Sequence, residues 1–236
     1  MYRYILLDAD NTLYDFDKAE YLSLKATLEH FGLPFSDGIA STYSAINLGL
    51  WKQYEKKLVP KETILTRRFQ ELFKLLGASA DPGLANEIYR KNLETKSILL
   101  PHAEEVCEEL SKHFTLAIVT NGVATTQRSR FLISPVRKYI KHLIISEELG
   151  TAKPDIAFFN AAFEIIGCAD KSEILVVGDS LSSDIKGAAN AGVDCCWFNP
   201  GRLPNDSGCD ITYEISDLRE LTRLLLDGGA RRFADK

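Results

Sequence analysis

The sequence predicts an α/β fold: a parallel sheet with an all-helical insertion placed directly after its first strand. Three observations carry this. A short apolar run, Tyr4-Ile5-Leu6-Leu7, stands at the N-terminus and meets polar residues at Asp8. From Asp15 to Lys96 only helical periodicity follows. From Thr115 onward, apolar runs alternate with helix-period stretches, the pattern of parallel strands joined by right-handed crossovers.

Each element has its own signal. Tyr21, Leu24, Leu28 and Phe31 recur at helical spacing before Gly32 supplies a stop. Ile39, Tyr43, Ile46, Leu50, Tyr54 and Leu58 form a second stripe, ended by Pro60. Leu65, Phe69, Leu72, Phe73 and Leu76 form a third, ended by Gly77, and Leu84 and Ile88 mark a shorter fourth. A helix through Val106 and Leu110 leads to the strand Thr115–Val119. A helix from about Ala124 to Leu132 precedes the strand His142–Ile145. Pro154 and Asp155 open a helix with Phe158, Phe159, Ala162, Phe163 and Ile166 on one face, closed by Gly167. The strand Glu173–Val177, a helix ending at Gly192 and the strand Cys195–Phe198 complete the assigned elements. Gly228 to Lys236 reads as a loose tail.

The first strand belongs to a sheet whose other strands begin near Thr115. The helices between them therefore emerge beside Asp10, at the carboxyl edge where open α/β sheets bind ligands. The expected division is a core of residues 1–14 and 97–236, with residues 15–96 as an inserted cap over the site.

Composition narrows the function classes. The chain has 236 residues, 45% hydrophobic and 26% charged, as expected for a globular protein able to bury a core. Its net charge of −5, without a basic block, argues against a nucleic-acid polymer as partner. No apolar run reaches membrane-span length, and the N-terminal strand is too short for a secretory leader. The five cysteines lack C-x-x-C spacing and the four histidines are scattered, which speaks against a disulfide framework or a zinc site. Reduced thiols and a cytoplasmic location are the expectation.

Four strand ends carry matching polar groups. The first gives Asp8 and Asp10; the second Thr120, Asn121 and Gly122; the third leads through Ser146-Glu147-Glu148 to Lys153-Pro154; the fourth gives Gly178-Asp179, with Asp184 further on. Two carboxylates two positions apart are costly to bury without positive charge between them. Each group has a use if the substrate is a phosphate ester. Asp8 is a candidate nucleophile that takes a phosphoryl group as an acyl phosphate. Asp10 is placed to protonate the leaving oxygen and then to activate water. The Thr120 hydroxyl and the backbone N–H groups near Asn121 and Gly122 suit phosphoryl oxygens, and Lys153 offers a point charge. Asp8, Asp179 and the Asp10 carbonyl form an all-oxygen set suited to Mg²⁺.

Taken together, Asp8-x-Asp10-x-Thr12, Thr120-Asn121, Lys153-Pro154 and Gly178-Asp179-x-x-x-x-Asp184 resemble the four motifs of the haloacid dehalogenase-like hydrolase superfamily. The likeness spans nearly the whole chain. It implies a Rossmann-like three-layer α/β/α core, a helical cap at the observed insertion point, Mg²⁺, and a phosphoaspartate on Asp8. By the same resemblance Asp10 is the acid/base, Thr120 and Lys153 bind the phosphoryl group, Asp179 is a metal ligand, and Asp184 orients Lys153 or a metal-bound water.

Thr120-Asn121-Gly122 with Gln127-x-x-Arg130, Ser146-Glu147-Glu148-x-Gly150-x-x-Lys153-Pro154, and Asn47-x-x-Leu50-Trp51-x-x-Tyr54 are also similar to the bacterial pyrimidine 5′-nucleotidases of that superfamily, which act on noncanonical nucleotides too. Ile133-Ser134-Pro135 departs from the small-residue turn of many relatives. The expected substrate is a pyrimidine nucleoside monophosphate. The alternatives are a phosphosugar phosphatase or mutase, or a binding module without catalysis. A phosphonate hydrolase would need a lysine such as Lys18 or Lys25 in the cap. Asn47 and Trp51 are the cap residues expected to touch substrate, whereas Arg67 and Arg68 read as solvated.

Overall fold

A computed structural model of the chain describes residues 1–227, so the expected tail from Gly228 lies outside the described residues. Within them, one parallel sheet contains β1 (Tyr4–Leu7), β2 (Thr115–Thr120), β3 (Ile140–Ile145), β4 (Ile174–Gly178), β5 (Asp194–Phe198) and β6 (Tyr213–Ile215). The order across the sheet is β3-β2-β1-β4-β5-β6. β1 is central, paired with β2 on one side and β4 on the other. The connections run outward in opposite directions from this strand, which makes the carboxyl ends of β1 and β4 the topological switch point.

The strands are apolar on both faces because helices cover both. Ile5, Leu7, Leu116, Ile118, Leu175 and Val177 point to one side. There they meet α5 (Ala103–Ser111) and α10 (Leu218–Leu226) through Val106, Cys107, Leu110, Leu218 and Leu221. The alternate residues Leu6, Ala117, Val119 and Val176 point to the other. They pack on α8 (Ile156–Ile166) and α9 (Lys186–Ala191) through Phe158, Phe159, Ala162, Phe163 and Ala188. Each large side chain buried this way contributes roughly 1.5–3 kcal/mol. Cys195 and Cys196 alternate between the two cores as packing residues, and all five cysteines are free thiols. No helix among the described residues is long and apolar enough to cross a membrane.

β6 and α10 are among the elements beyond those the sequence pattern assigns. β6 is only three residues long, with Glu214 in its middle, so it shows no run of its own. It becomes a strand by pairing with β5, from Cys196–Tyr213 to Phe198–Ile215. α10 then follows, its N-terminus capped by Asp217.

Between β1 and α5 lie α1 (Phe16–His30), α2 (Asp37–Glu55), α3 (Lys61–Leu76) and α4 (Pro82–Glu94). They enclose their own core of Leu24, Leu28, Tyr43, Phe69, Phe73 and Tyr89. Asp15, Ser36 and Asp81 cap three of these helices. Pro82 stands in the first turn of α4, and Gly77 closes α3 in the left-handed conformation. Three expectations fail here. Leu58 lies past the end of α2 and is 68% exposed. The buried face of α4 is Ala85, Tyr89 and Leu93, not Leu84 and Ile88. Arg68 is buried, and only Arg67 is exposed.

Candidate active site

The loop after β1 carries Asp8 to Thr12. Asn11 adopts φ of 60°, a left-handed conformation that asparagine tolerates better than most residues. Its side-chain oxygen accepts from the Phe16 and Asp17 N–H groups at 3.1 and 3.3 Å, locking the tight turn into α1. The turn leaves Asp8 buried and Asp10 partly open.

Lys153 is the buried hub. It is 2% exposed and follows α7 (Ser146–Leu149) on the loop after β3, with a cis bond to Pro154. Its Nζ donates to Asp8 Oδ1, to Asp184 Oδ1 at 2.6 Å and to the Val119 carbonyl at 2.9 Å. Asn121 fixes its backbone with two bonds of 2.9 Å: the amide Nδ2 donates to the Lys153 carbonyl and Oδ1 accepts from the Lys153 N–H. The side chain of Asn121 therefore aligns the lysine, and the loop's N–H groups remain the phosphate-binding candidates.

Asp184 is fully buried on a wide π-type turn, Leu181–Ile185. Besides holding Lys153, its Oδ2 accepts from the Ser180 N–H at 3.2 Å. Gly178 makes this approach feasible: a Cβ there would lie 2.3 Å from Asp184 Cγ. Asp179 is tied to the first loop by Thr12, whose hydroxyl donates to Asp179 Oδ1 at 3.0 Å and accepts from the Asp179 N–H at 3.1 Å. The Trp197 indole donates to the Asp179 carbonyl at 2.9 Å.

Side-chain oxygens of Asp8, Asp179 and Asp184 all lie within 4.8 Å of one another. Three carboxylates thus face one ammonium. Burial pushes the Asp8 carboxyl well above the usual range against the pull of Lys153, and burial with the Asp184 charge raises Asp179 to about 7. The charges of Asp184 and Asp8 outweigh burial at Lys153 and raise its pKa. The cluster is short of positive charge, and its hard oxygen donors fit a divalent cation.

Two residues without an assigned role in the sequence pattern complete the site. Arg130, 1% exposed on α6 (Ala124–Leu132), pairs with Asp10 Oδ1 and donates from Nε to the Lys96 carbonyl at 3.0 Å. Gln127 Nε2 bridges Asp10 Oδ2 at 2.6 Å and Thr120 Oγ1 at 2.8 Å. Their i, i+3 spacing on one helix face was the available signal. Gly122 is required beneath them, since a Cβ would meet Gln127 Nε2 at 2.3 Å. The Gly122 N–H donates to Thr120 Oγ1 at 3.1 Å.

The structure brings Asp8, Asp10, Thr120, Asn121, Gly122, Lys153, Asp179 and Asp184 to one edge. It does not bring Asn47 there. Asn47 is 2% exposed inside the insertion, donating to Glu20 Oε1 at 2.7 Å and accepting from Arg68 Nη1 at 3.2 Å. Trp51 is half-buried, edge-on to Tyr54 with ring centres 5.8 Å apart. Lys18 and Lys25 are exposed on α1, and Lys25 pairs with Glu29.

Comparison with known proteins agrees with this geometry. Residues 2–192 match the haloacid dehalogenase-like hydrolase family. The chain is 38% identical to the HAD-hydrolase YfnB of Bacillus subtilis, over 95% of each chain. It is 33% identical to the pyrimidine 5′-nucleotidase PynA of Streptococcus pneumoniae over 93% of each. It is 32% identical to the pyrimidine 5′-nucleotidase YjjG of Escherichia coli, over 94% of this chain and 97% of that one. The crystal structure of YfnB, described as bound to magnesium and revealing interdomain movement, superimposes with a TM-score of 0.91 over 95% of this chain and 99% of that one. The four strand-end motifs, the sheet order and these matches have one reading: the chain belongs to the haloacid dehalogenase-like hydrolases.

Proposed function

We propose that the protein is a Mg²⁺-dependent phosphoric monoester hydrolase that works through a phosphoaspartate on Asp8, with pyrimidine nucleoside 5′-monophosphates as substrates. The observation that carries the chemistry is the buried Asp8–Lys153–Asp184 arrangement at the switch point, with Asp179 beside it. The nucleotide is supported by the two pyrimidine 5′-nucleotidases that match nearly the whole chain.

Asp8 attacks phosphorus, and the bond to the ester oxygen breaks. Asp10, anchored by Arg130 and Gln127, gives the leaving oxygen its proton. Water then attacks the phosphoaspartate, returns a proton to Asp10 and releases phosphate with the Asp8 carboxylate restored. Lys153, Thr120 and the N–H groups of the 120–122 loop hold the phosphoryl oxygens as charge redistributes. Asp8, Asp179 and the Asp10 carbonyl, with Asp184 beside them, would hold Mg²⁺, whose charge would offset the repulsion between an anionic nucleophile and an anionic substrate.

Residues 15–96 act as the cap and residues 1–14 and 97–236 as the core. The cap rests on the core through Glu55, which accepts from Ser182 Oγ at 2.6 Å, and through Lys57, paired with Asp155 at 2.7 Å. Between them lies a cleft of about 620 Å³ lined by Tyr54, Glu55, Thr151, Lys153, Asp155 and Asn190.

A hydrolysis screen tests this reading with uridine, deoxyuridine, thymidine and purine monophosphates beside small sugar phosphates. Pyrimidine nucleotides are expected to lead, and Asp8→Asn should lower kcat by about 10⁴-fold or more while the fold persists. A preference for sugar phosphates would overturn the nucleotide assignment alone. Near-normal turnover by Asp8→Asn would overturn the mechanism.

A further inference from the structure

Lys61 has no role in the chemistry above, yet it is a buried contact between the insertion and the core. It opens α3 directly after Pro60, at a helix N-terminus where the helix dipole disfavours a cation. Local helix energetics therefore do not explain a lysine there. Its side chain is 9% exposed. The Nζ donates to the Asn121 carbonyl at 2.8 Å, the Gly122 carbonyl at 3.2 Å and Ser146 Oγ at 3.3 Å, and lies 3.6 Å from Glu147 Oε2. The Tyr54 and Trp51 rings stand 5.5 and 5.9 Å from it, walling the ammonium from the insertion side. Glu147 also accepts from the Ala124 N–H at 3.1 Å, so the socket is tied to the start of α6.

The two carbonyls matter because of what their peptide units present on the opposite side. A peptide unit is planar and trans, so its C=O and N–H point in opposite directions. Holding the Asn121 carbonyl fixes the direction of the Gly122 N–H; holding the Gly122 carbonyl fixes that of Val123. The first of these N–H groups already meets Thr120 Oγ1 on the catalytic side. A buried ammonium is costly without partners, and here the partners are the rear face of the phosphate-binding loop.

We propose that Lys61 is a positioning residue through which the docked insertion sets the phosphate-binding loop, its ammonium gripping the Asn121 and Gly122 carbonyls so that the loop's N–H groups face the phosphoryl oxygens. Cap closure and phosphate affinity are thereby coupled through one side chain. The turnover arm of the test rests on the phosphatase reading; the loop arm does not.

The experiment compares wild type, Lys61→Met and Lys61→Arg using p-nitrophenyl phosphate, whose small leaving group bypasses nucleoside recognition. Inhibition by inorganic phosphate and hydrogen exchange at the Gly122 and Val123 amides are measured in parallel. Lys61→Met is expected to weaken phosphate inhibition and kcat each by about tenfold, the scale of one charge-assisted anchor. Its loop amides should exchange faster, and Lys61→Arg should recover part of each loss. The double variant Ser146→Ala with Glu147→Gln opens the socket from the core side and should reproduce the loop effect with Lys61 intact. Phosphate inhibition and loop exchange within twofold of wild type in both Lys61→Met and the double variant would overturn the proposal. Wild type inert toward every phosphomonoester would instead overturn the phosphatase reading, and the exchange data would still decide the role of Lys61.

Discussion

Two regions of this molecule bury charge, and they balance it differently. Inside the insertion, Glu20 and Arg68 share Asn47 between them, and Arg68 Nη2 donates to Asn86 Oδ1 at 2.7 Å. One acid meets one base, and amides fill the gap. At the sheet edge Asp8, Asp179 and Asp184 cluster, and among the described residues Lys153 is the one cation paired with them, through Asp8 and Asp184. The first network pairs its charges within the chain, leaves Arg68 Nε as a buried atom without a partner, and ties α1, α2, α3 and α4 together. The unbalanced one carries a surplus of carboxylates among the described residues, as a site for a cation would.

The largest effect is expected where the unbalanced region loses its one cation. Lys153→Met leaves the buried Asp8 and Asp184 carboxylates without their paired cation, which costs about 3–5 kcal/mol of stability. It should also lower kcat by on the order of 10²–10³, the scale of a lost preorganised donor. Denaturant unfolding and steady-state kinetics read the two separately. A variant as stable and as active as wild type would remove the basis of the comparison.

Asn47→Ala probes the balanced region. It strips a buried partner from both Glu20 and Arg68, so stability should fall by about 1–3 kcal/mol. Relative kcat/KM among nucleotides should stay within about threefold, a difference below 1 kcal/mol. A change in substrate ranking without loss of stability would restore Asn47 as a specificity residue.

A pH-dependent effect follows from Asp179, raised to about 7 by burial and the nearby Asp184 charge. An unfolded aspartate releases its proton near pH 4. Between roughly pH 4 and 7 the folded protein holds a proton that the unfolded chain has lost, so metal-free stability falls as pH rises through that window and levels off above it. Asp179→Asn should flatten this part of the profile. An unchanged slope in the variant would assign it to other groups.

The contrast also explains what the sequence could and could not reveal. Asp8, Asp10, Thr120, Lys153 and Asp179 were legible because each lies at the carboxyl end of a strand or in the connection leaving it, and parallel topology brings those ends to one edge. Lys61 and Asn47 were not, because their meaning lies in partners distant along the chain. The Lys61 contacts at Asn121 and Ser146 are on other elements, and a lysine after Pro60 reads as the start of a solvated helix. Asn47 lies between Tyr43 and Leu50 on the buried face of α2, where periodicity marks burial but cannot supply Glu20 and Arg68. Gln127 and Arg130 stood in view as a spaced pair. Only the packing of α6 against the first loop shows that they grip Asp10.

The central claim is the proposed role of the sheet-edge carboxylates as the holders of one divalent cation. Calorimetric titration of the metal-free protein with Mg²⁺ tests it most directly. The account predicts one bound equivalent, a raised melting temperature, and loss of both in Asp179→Asn. No binding heat, an unchanged melting temperature and full phosphatase turnover in the presence of a chelator would contradict it.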